Sequence, residues 1–94
     1  MIVVRNCFVA KPGNASKLAA QLKEALVVAN IPTARVLTDL TGDFNRVIME
    51  HEAENIGEFE ASMKEYATNE AMRDKLKGYT DLWITGSREI LQIA

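Results

Sequence analysis

The sequence predicts an α+β fold in which helices cover one face of a four-stranded antiparallel sheet. Three observations predict this fold. Four segments have the β-branched and apolar composition of strands. The segments between them repeat apolar residues every three or four positions, as helices do. Between Thr33 and Ala53, two strands flank the turn Thr41-Gly42-Asp43-Phe44. The elements therefore follow the order strand, helix, strand, strand, helix, strand.

The first strand and the first helix are separated by a strong structure breaker. Residues Ile2 to Ala10 are almost entirely apolar, and Lys11-Pro12-Gly13 ends this predicted buried strand. Asn14 is expected to cap the helix that follows, and Asn30 is expected to end it. The apolar stripe of this helix consists of Leu18, Leu22, Ala25, Leu26 and Ala29.

The predicted hairpin has one charged face and one apolar face. With an even loop, the pairs on the charged face are Arg35 with Glu50, Leu37 with Ile48, and Asp39 with Arg46. The other face carries Ala34, Val36, Thr38, Leu40, Val47 and Met49, with His51 as the last side chain before a helix. This apolar face is expected to lie beneath the helices.

The remaining elements follow the same kinds of pattern. Asn55 and Glu58 form a capping-box pattern at the start of the second helix, and Asn69 is expected to break it. A short third helix ends around Gly78, and a final strand runs from Leu82 to Ile93. The apolar stripes of these helices are Ile56, Phe59, Met63 and Tyr66, then Met72, Leu76 and Tyr79. Regular alternation in the final strand places Leu82 and Ile84 on one side, and Trp83, Leu91 and Ile93 on the other.

This βαββαβ order is ferredoxin-like, because right-handed crossovers place both helices on one face of the sheet. We expect residues 1–94 to form a single domain. Its open face has no cover within the chain, although the first and last strands are predicted to be apolar on both sides. A second copy that packs sheet against sheet would bury this face with two-fold symmetry. The sequence therefore predicts a homodimer.

Net charge and hydropathy argue against nucleic-acid-binding and membrane-spanning functions. A net charge of -2 gives no electrostatic footprint for a phosphate backbone, so we expect no nucleic-acid partner. An RNA recognition motif shares this topology, but the central strands lack its stacking aromatics and basic residues. No segment is long and apolar enough to span a bilayer, and no signal-peptide pattern is present, so a cytoplasmic protein is expected. The single cysteine, Cys7, is expected to be a buried packing residue rather than a nucleophile.

Four short segments carry a resemblance to a known superfamily. They are Ala10-Lys11-Pro12-Gly13, Arg35-Val36-Leu37-Thr38-Asp39 with its Gly42 turn, Glu50-His51-Glu52-Ala53, and Ser87-Arg88-Glu89-Ile90. With the element order, they resemble the dimeric α/β-barrel superfamily, and within it the small NIPSNAP-type and antibiotic-biosynthesis-monooxygenase-type proteins. The resemblance implies a dimeric α/β barrel. Its members include cofactor-independent monooxygenases, haem-degrading enzymes, isomerases and proteins with no known reaction, so it implies no particular chemistry.

The haem-degrading branch provides a specific test of the resemblance. Its members have an asparagine on the first strand, an aromatic residue near the second helix and a histidine ligand on the later helix. Asn6 and Phe59 resemble the first two, whereas residues 72–75 contain no histidine. We therefore expect neither a haem nor another cofactor.

His51 is the candidate catalytic residue. It lies where this fold has its cleft between sheet and helices, and a histidine there can transfer a proton near neutral pH. The competing interpretation is a histidine that is hydrogen-bonded at the rim of the core. The candidate ligand-binding residues of the cleft are Asn6, Thr38, Met49, Phe59 and Tyr66.

The charged face of the hairpin has two interpretations. Arg35 and Glu50 either line the interior of the dimer as an anion-binding surface, with Arg5 and Arg88 added to them, or form a solvated rim. No metal site is expected, because alternation turns Glu50 and Glu52 away from His51.

Taken together, these patterns predict a protein that binds a small organic molecule. The enzymatic hypothesis is a cofactor-independent, monooxygenase-like reaction, and the alternative is a non-enzymatic structural or regulatory dimer. A sizeable cavity that touches His51 favours a ligand-binding protein or an enzyme, whereas a cleft filled by side chains favours the structural module.

Overall fold

A computed structural model describes residues 1–94. The elements are β1 (Ile2–Ala10), α1 (Ala15–Ala29), β2 (Arg35–Thr38), β3 (Arg46–Ala53), α2 (Ile56–Thr68), α3 (Glu70–Lys75) and β4 (Trp83–Gln92), with a short 3₁₀ turn at Tyr79–Leu82. The strands form one antiparallel sheet in the order β2-β3-β1-β4, which confirms the predicted ferredoxin-like fold. None of the helices is long and apolar enough to cross a membrane.

Asparagines define most of the helix ends. Asn30 adopts the left-handed conformation, with φ of 51°, and ends α1. Asn55 Oδ1 accepts a hydrogen bond from the Glu58 amide at 2.9 Å, as the capping pattern predicts. Asn69 ends α2 and also starts α3, because its Oδ1 accepts from the Met72 amide at 3.0 Å. The prediction for Asn14 is wrong in one respect, because it precedes α1 but its side chain makes no capping hydrogen bond.

The hairpin pairs in the register that the sequence predicts. Arg35 lies opposite Glu50 and Leu37 opposite Ile48. Beyond the last paired residues, Arg46 Nε donates to Asp39 Oδ2 at 3.2 Å. The register is well determined because a slip of one residue would turn the charged face toward the helices.

The core lies between the sheet and the helices, but the helices contribute unequally. Leu18 and Leu22 of α1 pack against Val47, which is fully buried. A smaller cluster joins Phe59 of α2 to Val4 and Ala53. Helix α1 buries four side chains, whereas α2 buries only Phe59.

A β-bulge in β4 corrects the predicted alternation of the last strand. Val9 pairs with Thr85 but Ala10 pairs with Trp83, so Ile84 is an extra residue in β4. The bulge turns Trp83 toward the helices, where its ring lies 5.4 Å from Phe8. Leu91, opposite Val3, faces the open side. The prediction that Trp83 and Leu91 share a side is therefore wrong.

A row of alternating charges crosses the open face of the sheet. Arg35, Glu50, Arg5 and Glu89 follow one another across β2, β3, β1 and β4. Arg35 Nε donates to Glu50 Oε1 at 2.8 Å, and Arg5 Nε donates to Glu50 Oε2 at 2.9 Å. Arg5 also lies 3.7 Å from Glu89. We call these four residues the charge row.

The charge row buries a carboxylate on a face that is otherwise uncovered. Only 8% of the Glu50 side chain is exposed, because Arg5 and Arg35 cover it. The hydrogen bond from Arg35, followed by the one from Arg5, holds the pKa of Glu50 below its usual range. Glu89 and Ser87 also face this side, so β4 is less apolar there than the sequence predicts.

Candidate functional site

A cavity of about 150 Å³ lies between the helix-covered face of the sheet and the helices. Twelve of its fifteen lining residues are hydrophobic. Leu22, Ala25 and Ala29 of α1 supply one part of the wall, and Met63 and Tyr66 of α2 supply another. The remaining three lining residues are Asn6, His51 and Arg88. The cavity therefore combines an apolar interior with a small set of polar groups, as ligand sites do.

Asn6 and Arg88 form the polar part of the cavity because they are paired across β1 and β4. Arg88 Nε donates to Asn6 Oδ1 at 2.7 Å, and Asn6 is only 8% exposed. The guanidinium of Arg88 also lies over the ring of Phe59, 5.3 Å from its centroid. Arg88 is exposed overall, and this cation–π contact and the hydrogen bond orient its guanidinium toward the cavity.

Arg88 differs from the other arginines of the sheet in having no carboxylate partner. Arg5 and Arg35 are paired with Glu50, and Arg46 is paired with Asp39. Arg88 makes one hydrogen bond, to the neutral amide of Asn6, so the remaining N–H groups of its guanidinium are free for a ligand. An anionic or carbonyl oxygen is the chemical partner that such a group recognises.

The prediction that Arg88 joins the charged face of the sheet with Arg5 is wrong, and the bulge explains the error. Counting alternate residues from Trp83, whose ring lies in the core, places Arg88 on the open face with Arg5. The extra residue Ile84 reverses the alternation from Thr85 onward, so Arg88 pairs with Asn6 on the helix-covered face. The sequence carries no distinct signal for this bulge.

His51 lines the cavity beside these groups. It lies opposite Val4 on β3, and its ring centroid is 6.0 Å from that of Phe59. Burial, and then the positive charge of Arg88, lower the pKa of His51. No side chain of the protein donates a hydrogen bond to its ring or accepts one from it. The neutral imidazole can therefore accept a proton from a molecule in the cavity near neutral pH.

The structure divides the predicted ligand-binding residues into three groups. Asn6, Met49 and Tyr66 line the cavity with His51, as predicted for the cleft. Phe59 does not line it but contacts both His51 and Arg88.

The third group lies elsewhere. Thr38 does not line the cavity, because β2 ends there and Thr38 lies beside the hairpin turn opposite Val47. Arg35 and Glu50 lie on the opposite face of the sheet, in the charge row, because alternation turns them away from Met49 and His51. The structure therefore brings the cleft residues together but separates them from the hairpin charges.

The polar groups that the cavity offers to a ligand are few. Helix α3 contributes Met72 to its wall and no histidine. No cluster of three or more histidine, cysteine or carboxylate side chains has the arrangement of a metal site. The groups that the chain itself offers are a cation, an amide and a neutral imidazole.

Known structures share this fold at low sequence identity. No protein-family model matches the sequence, and no curated protein matches it. A NIPSNAP domain protein from Burkholderia xenovorans superposes with a TM-score of 0.84 and 15% identity, covering 100% of this chain and 95% of the other. A NIPSNAP family protein from Agrobacterium tumefaciens gives 0.86 and 11%, covering 99% and 92%. A protein from Nitrosomonas europaea, provisionally named an antibiotic biosynthesis monooxygenase, gives 0.71 and 15%, covering 98% and 97%. The predicted resemblance to NIPSNAP-type and monooxygenase-type proteins is thus confirmed at the level of the fold.

Proposed function

We propose that this chain, which shares the fold of NIPSNAP-family and antibiotic-biosynthesis-monooxygenase-like proteins, binds a small organic molecule in the cavity beside Arg88. The observation that carries the proposal is the unpaired guanidinium at the polar end of an apolar cavity. A molecule with one anionic or carbonyl oxygen and an apolar body matches both parts. The oxygen accepts from Arg88, and the body replaces water among the apolar walls.

The enzymatic form of the proposal is a cofactor-independent oxygenation. His51, whose pKa is lowered, takes a proton from a CH₂ group next to the bound carbonyl, and Arg88 stabilises the enolate that results. The carbanion supplies the electrons that reduce O₂. One oxygen atom becomes the new C=O group, and the other leaves as water with the two hydrogens of the CH₂. The largely apolar walls keep bulk water away from this carbanion.

The binding test uses the single histidine of the chain as its reporter. We expect benzoate to shift the NMR signals of the His51 ring and to raise its pKa, because the anion offsets the charge of Arg88. In Arg88→Gln these effects of benzoate should disappear. Lys23→Gln is the control, because it removes an exposed charge on α1 outside the cavity. Equal benzoate affinity in Arg88→Gln and the unaltered protein would contradict the proposal.

Oxygen uptake separates the enzyme from a non-enzymatic binding or regulatory module. Pentane-2,4-dione is a suitable probe because its CH₂ group lies between two carbonyls but stays un-ionised at pH 7 until a base removes a proton. The enzymatic form predicts one O₂ consumed per dione oxidised, and loss of this activity in His51→Gln. A dione that binds at Arg88 without consuming O₂ would favour the non-enzymatic module.

We also propose that two copies pack through their open sheet faces, and the charge row supports this arrangement. Its signs alternate as positive, negative, positive, negative from Arg35 to Glu89. A two-fold axis parallel to the strands reverses the order of the row in the second copy. Arg35 then faces Glu89 of the second copy, and Glu50 faces its Arg5, so every charge meets the opposite charge. Apolar side chains also face this side next to the row, among them Leu37, Ile48 and Leu91.

Sedimentation measurements test the dimer and its orientation. We expect a dimer at micromolar concentration, and we expect Glu89→Lys to weaken it at least tenfold at low salt, because the introduced ammonium group would then meet Arg35 of the second copy. Glu54→Lys makes the same change of charge in the loop before α2 and serves as the control. A monomeric wild-type protein would refute the proposal, and an unaffected Glu89→Lys dimer would refute the orientation.

A further inference from the structure

We infer that the ligand of this cavity is a one-ring organic acid, or a one-ring ketone that becomes an enolate there, and not a polycyclic molecule or a neutral one that forms no anion. This inference rests on the proposed binding function and adds the size and charge of the ligand. A cavity of about 150 Å³ is large enough for a single six-membered ring. The oxygen of that ring's substituent then accepts from Arg88.

Two kinds of wall residue determine the space for the ring. Ala25 and Ala29 lie one turn apart on α1, and their short side chains leave the room that larger residues would fill. Three of the four methionines of the chain, Met49, Met63 and Met72, line the rest. Methionine adapts to irregular shapes, so the wall accepts rings of different substitution. The cavity is partly open, so a second fused ring would extend beyond these walls toward solvent.

The polar end determines the charge of the ligand. Arg5, Arg35 and Arg46 are each satisfied by a carboxylate of the chain, whereas Arg88 is satisfied only by the neutral Asn6. The lowered pKa of His51 leaves its imidazole neutral, so His51 adds a hydrogen bond without a competing charge. A bound anion therefore supplies the charge that the chain itself does not place beside Arg88.

The experiment compares three probes by NMR titration of the His51 ring. They are benzoate, 1-naphthoate with a second fused ring, and benzyl alcohol with the same ring and a neutral oxygen. We expect 1-naphthoate and benzyl alcohol each to bind at least tenfold more weakly than benzoate. Met63→Ala should recover much of the affinity for 1-naphthoate, because it shortens a partly exposed wall residue on α2. Val27→Ala is the control, since Val27 is exposed on α1 outside the cavity.

The outcomes separate the inference from the function on which it rests. If 1-naphthoate or benzyl alcohol binds as tightly as benzoate, and binding still requires Arg88, the one-ring acid is refuted and the binding site stands. If none of the three probes shifts His51, the proposed binding function fails together with the inference.

Discussion

Replacing Asn6 by aspartate is the most discriminating single change in this protein. The two side chains have nearly the same shape, and Asn6 Oδ1 already accepts from Arg88 Nε at 2.7 Å. The introduced carboxylate would form an ion pair with Arg88 where the wild type has a hydrogen bond to a neutral amide. The guanidinium would then have a partner of its own, as the other sheet arginines do. The substitution therefore neutralises the proposed ligand anchor without removing it.

The size of the effect follows from the distance. Two unit charges about 4 Å apart attract by about 4 kcal/mol at an effective dielectric constant of about 20. Arg88 is exposed on its outer side, so solvent reduces this value, and we take roughly a third of it. About 1.4 kcal/mol corresponds to a tenfold loss of affinity for an anionic ligand. The free energy of unfolding should change little, because the new charge is paired.

The assay is the titration of His51 with benzoate, together with its pKa in the absence of ligand. We expect at least tenfold weaker binding, and we expect the pKa of His51 to rise because the carboxylate offsets the charge of Arg88. Asn14→Asp makes the same chemical change before α1, outside the cavity, and should leave both values unchanged. Benzoate affinity within twofold of the wild type, or a fall in the pKa of His51, would refute the reasoning.

Three further predictions concern stability. Glu50→Gln should lower the free energy of unfolding by about 1–2 kcal/mol at pH 7, a value discounted because Arg5 and Arg35 are partly exposed. Since the folded protein lowers the pKa of Glu50, the stability difference between the wild type and Glu50→Gln should shrink as the pH falls below 4.5. Urea unfolding of both proteins at pH 7 and below pH 4.5 measures this difference. The lowered pKa of His51 means that the unfolded chain binds the extra proton, so stability should fall as the pH drops through 6.5, and His51→Gln should remove this slope in thermal melts. Asn69→Ala should cost about 1 kcal/mol through loss of the cap of α3, and unchanged helicity and melting temperature would contradict that role.

The sequence predicted the parts of this structure that depend on local pattern. The hairpin register followed from alternation and turn length, the cap at Asn55 followed from its capping-box pattern, and the end of α2 at Asn69 was also predicted. The cap that Asn69 provides for α3 was not predicted. The position of Arg88 depended instead on the bulge at Ile84, which no local pattern marks. A bulge arises from the fit of one strand against its neighbour, so a single strand does not reveal it.

The candidate site was predicted in part for the same reason. Alternation within the hairpin placed His51 and Met49 beneath the helices, and the structure shows both in the cavity wall. Thr38 shares their parity but lies outside the cavity, because parity gives the face of the sheet and not the distance along the strand. Arg88 and its contact with Phe59 required the tertiary structure.

Helix α2 is held to the sheet by one buried side chain, Phe59, while α1 buries four. We therefore expect the free energy needed to detach α2 to be smaller than the free energy of global unfolding. Its backbone amides should exchange with solvent through local openings during which α1 and the sheet stay folded. Because Met63 and Tyr66 of α2 line the cavity, each of these openings would also widen the cavity.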